Sequence, residues 1–189
     1  MDFLFRRVYR GPLKMVVLDW AGTTIDFGCF APAGVFVRVF AEMGIEISMG
    51  EAREPMGLHK RDHIRAVSHM ERVAAVWVEE HGRPCSEADV EAMFERFVPL
   101  QLEVLADHAQ LIPEVPLAQA SFRRRGLAIG TTTGYNRQMM DVLVPLAKRQ
   151  GYEPDHVVCA SEVPAGRPAP WMALRNAEHL GIYPLEACV

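Results

Sequence analysis

Met15-Val16-Val17-Leu18-Asp19-Trp20-Ala21-Gly22-Thr23-Thr24 runs from four apolar residues into an aspartate followed by small ones. A short apolar run without polar alternation predicts a strand buried on both faces. The small residues after Asp19 predict a loop at its carboxyl end. Two similar runs lie downstream, Leu127-Ala128-Ile129-Gly130-Thr131 and His156-Val157-Val158-Cys159-Ala160, and Ala187-Cys188-Val189 reads as the beginning of a fourth. Strands separated by helical segments imply a parallel sheet. Ligands of such sheets bind beyond the carboxyl ends of the strands, so Asp19, Thr132-Thr133 and the loop after Ala160 are expected in one place.

Between the first two strands the pattern is helical throughout. Val35, Phe36, Val39 and Phe40 have helical spacing within 32–43, which Gly44 ends. Further helices are expected over 48–56, 59–70 and 71–80, with Gly82 and Pro84 as breakers. Ser86-Glu87-Ala88-Asp89 has capping-box spacing with Asp in place of Glu and predicts a long helix to about Asp107. Helices at 113–126, 136–150 and 168–180 follow, the second with Pro145 as a candidate kink. The chain is therefore read as α/β, with a core domain at 1–28 and 108–189 and an all-helical unit inserted at 29–107.

Composition narrows the function classes. Half of the 189 residues are hydrophobic and 23% are charged, enough for a sizeable core. A net charge of -4 gives no pull toward nucleic acid or an anionic membrane surface. No apolar run approaches the roughly 20 residues of a membrane span. Cys29, Cys85, Cys159 and Cys188 make no C-x-x-C pair and no zinc spacing with histidines, so a reducing cytoplasm is the expected location. The leader at 1–14 carries Arg6, Arg7 and Arg10 beside Phe3, Leu4 and Phe5 but lacks the longer apolar centre of a secretory signal. It reads as a loosely docked segment.

Several residues carry chemistry, each beside a plainer use. Asp19 at a strand end could attack phosphorus, with loop amides holding the phosphoryl oxygens; it could equally cap a helix or a turn. Lys60 lies in Met56-Gly57-Leu58-His59-Lys60-Arg61-Asp62-His63. A free lysine titrates near 10.4, so under about 0.1% is neutral at pH 7, and burial or a neighbouring cation must lower that value before the amine can act. His63, three residues on, is expected on the same helix face; alternatively K-R-D-H is a solvated face. Met56 and Cys29 face the site or simply fill the core.

Read together, these words resemble a family. D-W-A-G-T at 19–23, T-T-G at 132–134 and Gly166-Arg167-Pro168 resemble, in order, the first three motifs of the haloacid dehalogenase superfamily, whose aspartate becomes a phosphoaspartate. Ala21 departs from the superfamily's phosphatases, which place there a second aspartate that protonates the alcohol leaving group; alanine cannot. Phosphonoacetaldehyde hydrolases carry alanine at this point. The segment at 56–63 resembles that family's M-G-x-x-K-x-D-H, D-F-G-C-F-A-P at 26–32 its hinge, and V-P-A-G-R-P at 163–168 its third motif. T-T-G-Y places Tyr135 at the edge of the site, as in the family.

The resemblance implies a Rossmann-like parallel sheet core with an inserted all-helical cap. It implies Lys60 as the Schiff-base residue, Asp19 as the nucleophile and His63 as a proton shuttle. Substrate would be bound by Thr133, Gly134, Tyr135, Arg167, Met56 and Cys29. Mg²⁺ would sit on Asp19 and the Ala21 carbonyl. The substrate implied is the small molecule phosphonoacetaldehyde. The superfamily's fourth, acidic motif follows the fourth strand, and no such residues follow Val189 here, so the core is expected to be incomplete at its carboxyl terminus. A different superfamily phosphatase or phosphomutase, and a non-catalytic remnant that binds phosphonate or a partner, are the rival readings. A homodimer through the cap is also implied, for which the apolar face of Val35, Phe36 and Phe40 is one candidate; the cap's own core is the other use of that face.

Overall fold

The computed structural model describes residues 9–189; the expectation for the leader falls mostly outside that range. Three parallel strands, β1 (Met15–Asp19), β2 (Ala128–Thr133) and β3 (His156–Cys159), form a sheet in the order β1-β2-β3. Asp19 pairs with Thr132, and Thr133 with Cys159, so the carboxyl ends lie level. β2 runs two residues beyond the expected Thr131. The free side of β1 is also covered: Cys188 bridges Met15 in parallel, Val17 N–H donates to the Val189 carbonyl at 2.7 Å, and Val189 N–H donates to that of Met15 at 3.1 Å. The expected fourth strand is thus represented by Cys188 and Val189, while Leu185–Ala187 forms a 3-10 turn.

Six helices separate β1 from β2, the first five being α1 (Phe30–Glu42), α2 (Met49–Arg53), α3 (Lys60–Ser68), α4 (Glu71–His81) and α5 (Glu87–Leu105). α6 (Val115–Arg124) precedes β2, α7 (Arg137–Arg149) joins β2 to β3, and α8 (Trp171–His179) follows β3. α2 is shorter than the expected 48–56: Glu54 still has helical backbone, but Pro55 brings no N–H to extend the ladder and Gly57 sits at φ +102°. α8 starts at Trp171 rather than Pro168, after Pro170 as its cap. Pro145 and Pro99 both lie inside helices, α7 and α5, without ending them. The capping box at Ser86 and Asp89 is present, and Ser48 with Glu51 makes a second.

Val35, Phe36, Val39 and Phe40 turn inward on α1, and the Phe36 ring meets Phe97 of α5 at 4.5 Å between centroids. This face is therefore the core of the helical insert, so a dimer contact would need another surface. Trp77 of α4 is wholly buried, whereas Trp171 is 46% exposed. A large cluster of buried apolar residues runs from Trp20 and Ile25 through Phe36 and Phe97 to Met139 and Leu143, and Val158, Ala160 and Met172 form a smaller second one. Each large side chain so buried contributes on the order of 2 kcal/mol. α8 lies tight on β2: Asn176 Nδ2 donates to the Thr131 carbonyl at 2.9 Å, and a Cβ at Gly130 would fall 2.8 Å from its amide.

The chain crosses between sheet and insert twice. The outgoing and returning linkers pair as a short antiparallel ribbon: Ile25 bridges Leu111, Asp26 N–H donates to the Gln110 carbonyl at 3.1 Å, and Ile112 N–H to that of Thr24 at 3.0 Å.

Candidate active site

β1 carries Asp19 to the edge of the sheet, and the next residue, Trp20, points into the core with its indole N–H donating to Thr131 Oγ1 at 2.9 Å. Strand alternation sends these neighbours to opposite sides. The loop beyond is a tight turn. The N–H groups of Thr23, Thr24 and Ile25 converge on the Trp20 carbonyl, and that of Gly22 donates to the Ile25 carbonyl. Of the loop amides expected to hold phosphoryl oxygens, those of Gly22, Thr23 and Thr24 are spent on the turn itself. Gly22 is at φ +82°, and a Cβ there would fall 2.6 Å from Cys29 Sγ, so only glycine lets the two segments meet.

Arg167 reaches in from the loop after β3, its Nη2 donating to Asp19 Oδ1 at 3.1 Å. Both side chains are about one-third exposed, at 31% and 29%. Thr133 ends β2 and accepts the Tyr135 N–H on its Oγ1 at 3.1 Å. Gly134 allows a close approach between core and insert: a Cβ there would meet the Leu58 carbonyl oxygen at 2.6 Å.

Lys60 opens α3 and is only 5% exposed. Its ammonium lies 5.0 Å from the centre of the Tyr135 ring and 5.6 Å from that of Phe36. Burial pushes its proton affinity down, to about 8, with Asp19 and Cys29 opposing and Arg167 assisting. The amino end of a helix also disfavours a cation. His63 is wholly buried and stacked on Phe36 at 3.8 Å. Its Nε2 lies 2.9 Å from the Ala52 carbonyl, which can only accept, so that nitrogen carries the proton. Burial, then the charge of Lys60, pushes this imidazole down to about 3.

Cys29 stands at φ +53° beside the loop, its thiol pushed up chiefly by burial and next by Asp26. Tyr135 is 1% exposed, with its phenol pushed well up by burial. A cavity of about 460 Å³ opens between the two units, lined by Asp19, Ala21 and Arg167 from the core and by Cys29, Met56 and Gly57 from the insert. Behind it lies a recess of only about 10 Å³, where Lys60, Thr133, Gly134 and Tyr135 meet Asp19 and Arg167.

The structure thus brings together Asp19, Ala21, Lys60, Thr133, Gly134, Tyr135, Arg167, Met56 and Cys29. His63 lines neither space. Among the described residues no group of three or more His, Cys, Asp or Glu side chains gathers as a metal site. Mg²⁺ commonly takes one or two carboxylates and completes its shell with water and substrate oxygens. Asp19 with the Ala21 carbonyl at the same cavity fits that minimal pattern. Sequence reasoning missed Gly57, where an added Cβ would lie 3.8 Å from the Arg167 guanidinium, and Leu58. It also passed over Asp26, buried at the hinge, whose signal was an aspartate four residues before the first residue of α1.

Fold and site together define a hydrolase of the haloacid dehalogenase class: a family model described as haloacid dehalogenase-like hydrolase matches residues 13–189. A phosphonoacetaldehyde hydrolase from Nitratidesulfovibrio vulgaris is 52% identical over 187 residues, covering 99% of this chain and 67% of that protein. One from Syntrophobacter fumaroxidans is also 52% identical, over 99% and 68%. The crystal structure of a phosphonoacetaldehyde hydrolase-like protein from Oleispira antarctica superposes with a TM-score of 0.91 at 39% identity, over 99% of this chain and 68% of that one. The chain belongs to the phosphonoacetaldehyde hydrolase family and spans about two thirds of the length of these relatives.

Proposed function

We propose that the chain hydrolyses the carbon–phosphorus bond of phosphonoacetaldehyde, giving acetaldehyde and phosphate. The observation that carries this reading is a buried lysine of lowered proton affinity in one recess with Asp19, next to Ala21 where an ester hydrolase needs an acid. With a value near 8, about a tenth of Lys60 is neutral at pH 7, against under about 0.1% for a free lysine.

The neutral Nζ adds to the aldehyde carbon, and a proton taken up from solvent lets the carbinolamine hydroxyl leave as water, forming a protonated imine. An Asp19 oxygen attacks phosphorus; the carbon–phosphorus bond breaks and its electron pair moves into the imine, giving an enamine and a phosphoaspartate. One water releases phosphate from Asp19. The enamine takes a proton at carbon, and a second water releases acetaldehyde and frees Lys60. One water is consumed overall. Arg167 supplies a planar fork of donors to the phosphonate, and Thr133 with the Gly134 backbone closes the other side. Mg²⁺ held by Asp19 and the Ala21 carbonyl would offset phosphonate charge. His63 acts as a neutral hydrogen-bonding group behind Lys60. The small recess requires the cap to shift before an aldehyde carbon can reach the amine.

The test is borohydride trapping with phosphonoacetaldehyde, read by intact mass and peptide mapping. A reduced adduct on Lys60 is expected. No adduct on a folded chain would sink the proposal.

A further inference from the structure

We propose that Asp26 is a positioning residue that holds the helical cap on the core in the arrangement that encloses Lys60, with His108 on the returning linker as its partner. The inference rests on the reading of Lys60 given above. Asp26 is 5% exposed and lies in the linker ribbon, outside the proposed chemistry. Its two carboxylate oxygens accept the first backbone N–H groups of α1, those of Phe30 and Ala31, each at 3.0 Å. Its own N–H is bonded across the ribbon to Gln110. His108 Nδ1 is 3.7 Å from Oδ1. One residue, through its carboxylate and its own N–H, therefore ties the amino end of α1 and both linkers to a single point.

The backbone shows that this point is held under constraint. Asp26 and Cys29 are the two non-glycine residues with positive φ among those described, at +51° and +53°, with Gly28 between them at +89°. Left-handed backbone is disfavoured for residues other than glycine and persists where surrounding bonds fix it. The two bonds to α1 and the bond to Gln110 are such a fix. α1 in turn carries Phe36, whose ring lies beside both Lys60 and His63. Losing the carboxylate frees the first turn of α1 and the angle at which the cap leaves the core.

The test uses Asp26→Asn, which keeps the side-chain shape, with His108→Gln as a milder variant should the first not fold. Three quantities are measured in the full chain. They are the rate of borohydride-trappable imine formation, the titration midpoint of Lys60 by competitive acetylation and peptide mapping, and the rise in unfolding temperature produced by inorganic phosphate. A loosened cap hydrates Lys60, so its midpoint moves up from near 8 toward the ordinary value and trapping slows tenfold or more, or two- to fivefold in His108→Gln. The phosphate effect, which depends on the core groups Arg167 and Thr133, stays as in the parent. Unchanged trapping and titration overturn the inference. So does a downward midpoint, the sign that simple removal of a nearby anion gives, and so does loss of the phosphate effect, which marks a general structural role. A parent chain that traps nothing ends the proposed function, yet an upward Lys60 midpoint in Asp26→Asn still supports the hinge.

Discussion

Lys60 is a costly residue to keep. Its ammonium sits between two aromatic rings, under a helix start, with almost no exposure. Removing the charge relieves that cost, so Lys60→Met should raise unfolding stability at pH 7 by about 3 kcal/mol, from the distance between 10.5 and about 8, while abolishing imine trapping. Denaturant titration beside the trapping assay checks both halves; a destabilised variant would show that the rings favour the cation more than burial opposes it. Asp19→Asn separates the two covalent steps. It should retain trapping at Lys60 and lose phosphate release by a factor of about 10³ or more, the scale of removing a covalent nucleophile. Quantifying inorganic phosphate against reduced adduct distinguishes them, and loss of both would mean that Asp19 also governs the imine step.

At the level of elements, the decisive contact is a backbone one. Gly134, just past β2, lies against the carbonyl of Leu58 just before α3. Gly134→Ala introduces a methyl 2.6 Å from a backbone oxygen, which cannot yield without moving the cap segment. The expected outcome is at least a tenfold loss of imine formation with a stability loss of about 1–3 kcal/mol, measured by trapping and by urea unfolding. Normal trapping in this variant would show that the two segments separate freely. The same elements show what the sequence could carry. Periodicity located every helix and strand to within a few residues because their apolar patterns are strong, and Asp19, Lys60 and Arg167 stood out through strand ends and short words. Gly57, Leu58 and Asp26 did not, because their importance lies in how near another segment comes, and no local pattern encodes that distance. Which loop amides stay free was not legible for a related reason: it depends on the turn that forms, and this one consumes those of Gly22, Thr23 and Thr24.

For the molecule as a whole, the buried bases shape stability against pH. Lys60 titrates near 8 when folded and near 10.5 when unfolded, so the unfolded chain holds more protons between those values and stability rises with pH across that window. His63 titrates near 3 folded and 6.5 unfolded, so stability falls as pH drops through 6.5 toward 3. Carboxylates such as Glu51, lowered to about 2 by its bond from Arg72, add to acid loss only below their unfolded value of 4.5. A His63→Gln variant should therefore show a flatter stability profile between pH 6.5 and 5, measured by chemical denaturation at each pH; an unchanged slope would assign the acid sensitivity elsewhere. One more property follows from where the aromatic residues lie. The chain has three tryptophans: Trp20 next to Asp19 with its indole bonded to Thr131, Trp77 inside the cap against His81 at 4.6 Å, and Trp171 exposed on α8. Their emission should separate by wavelength and by accessibility to a soluble quencher. Single-tryptophan variants would then let light report the loop after β1, the cap and the outer surface independently in one protein.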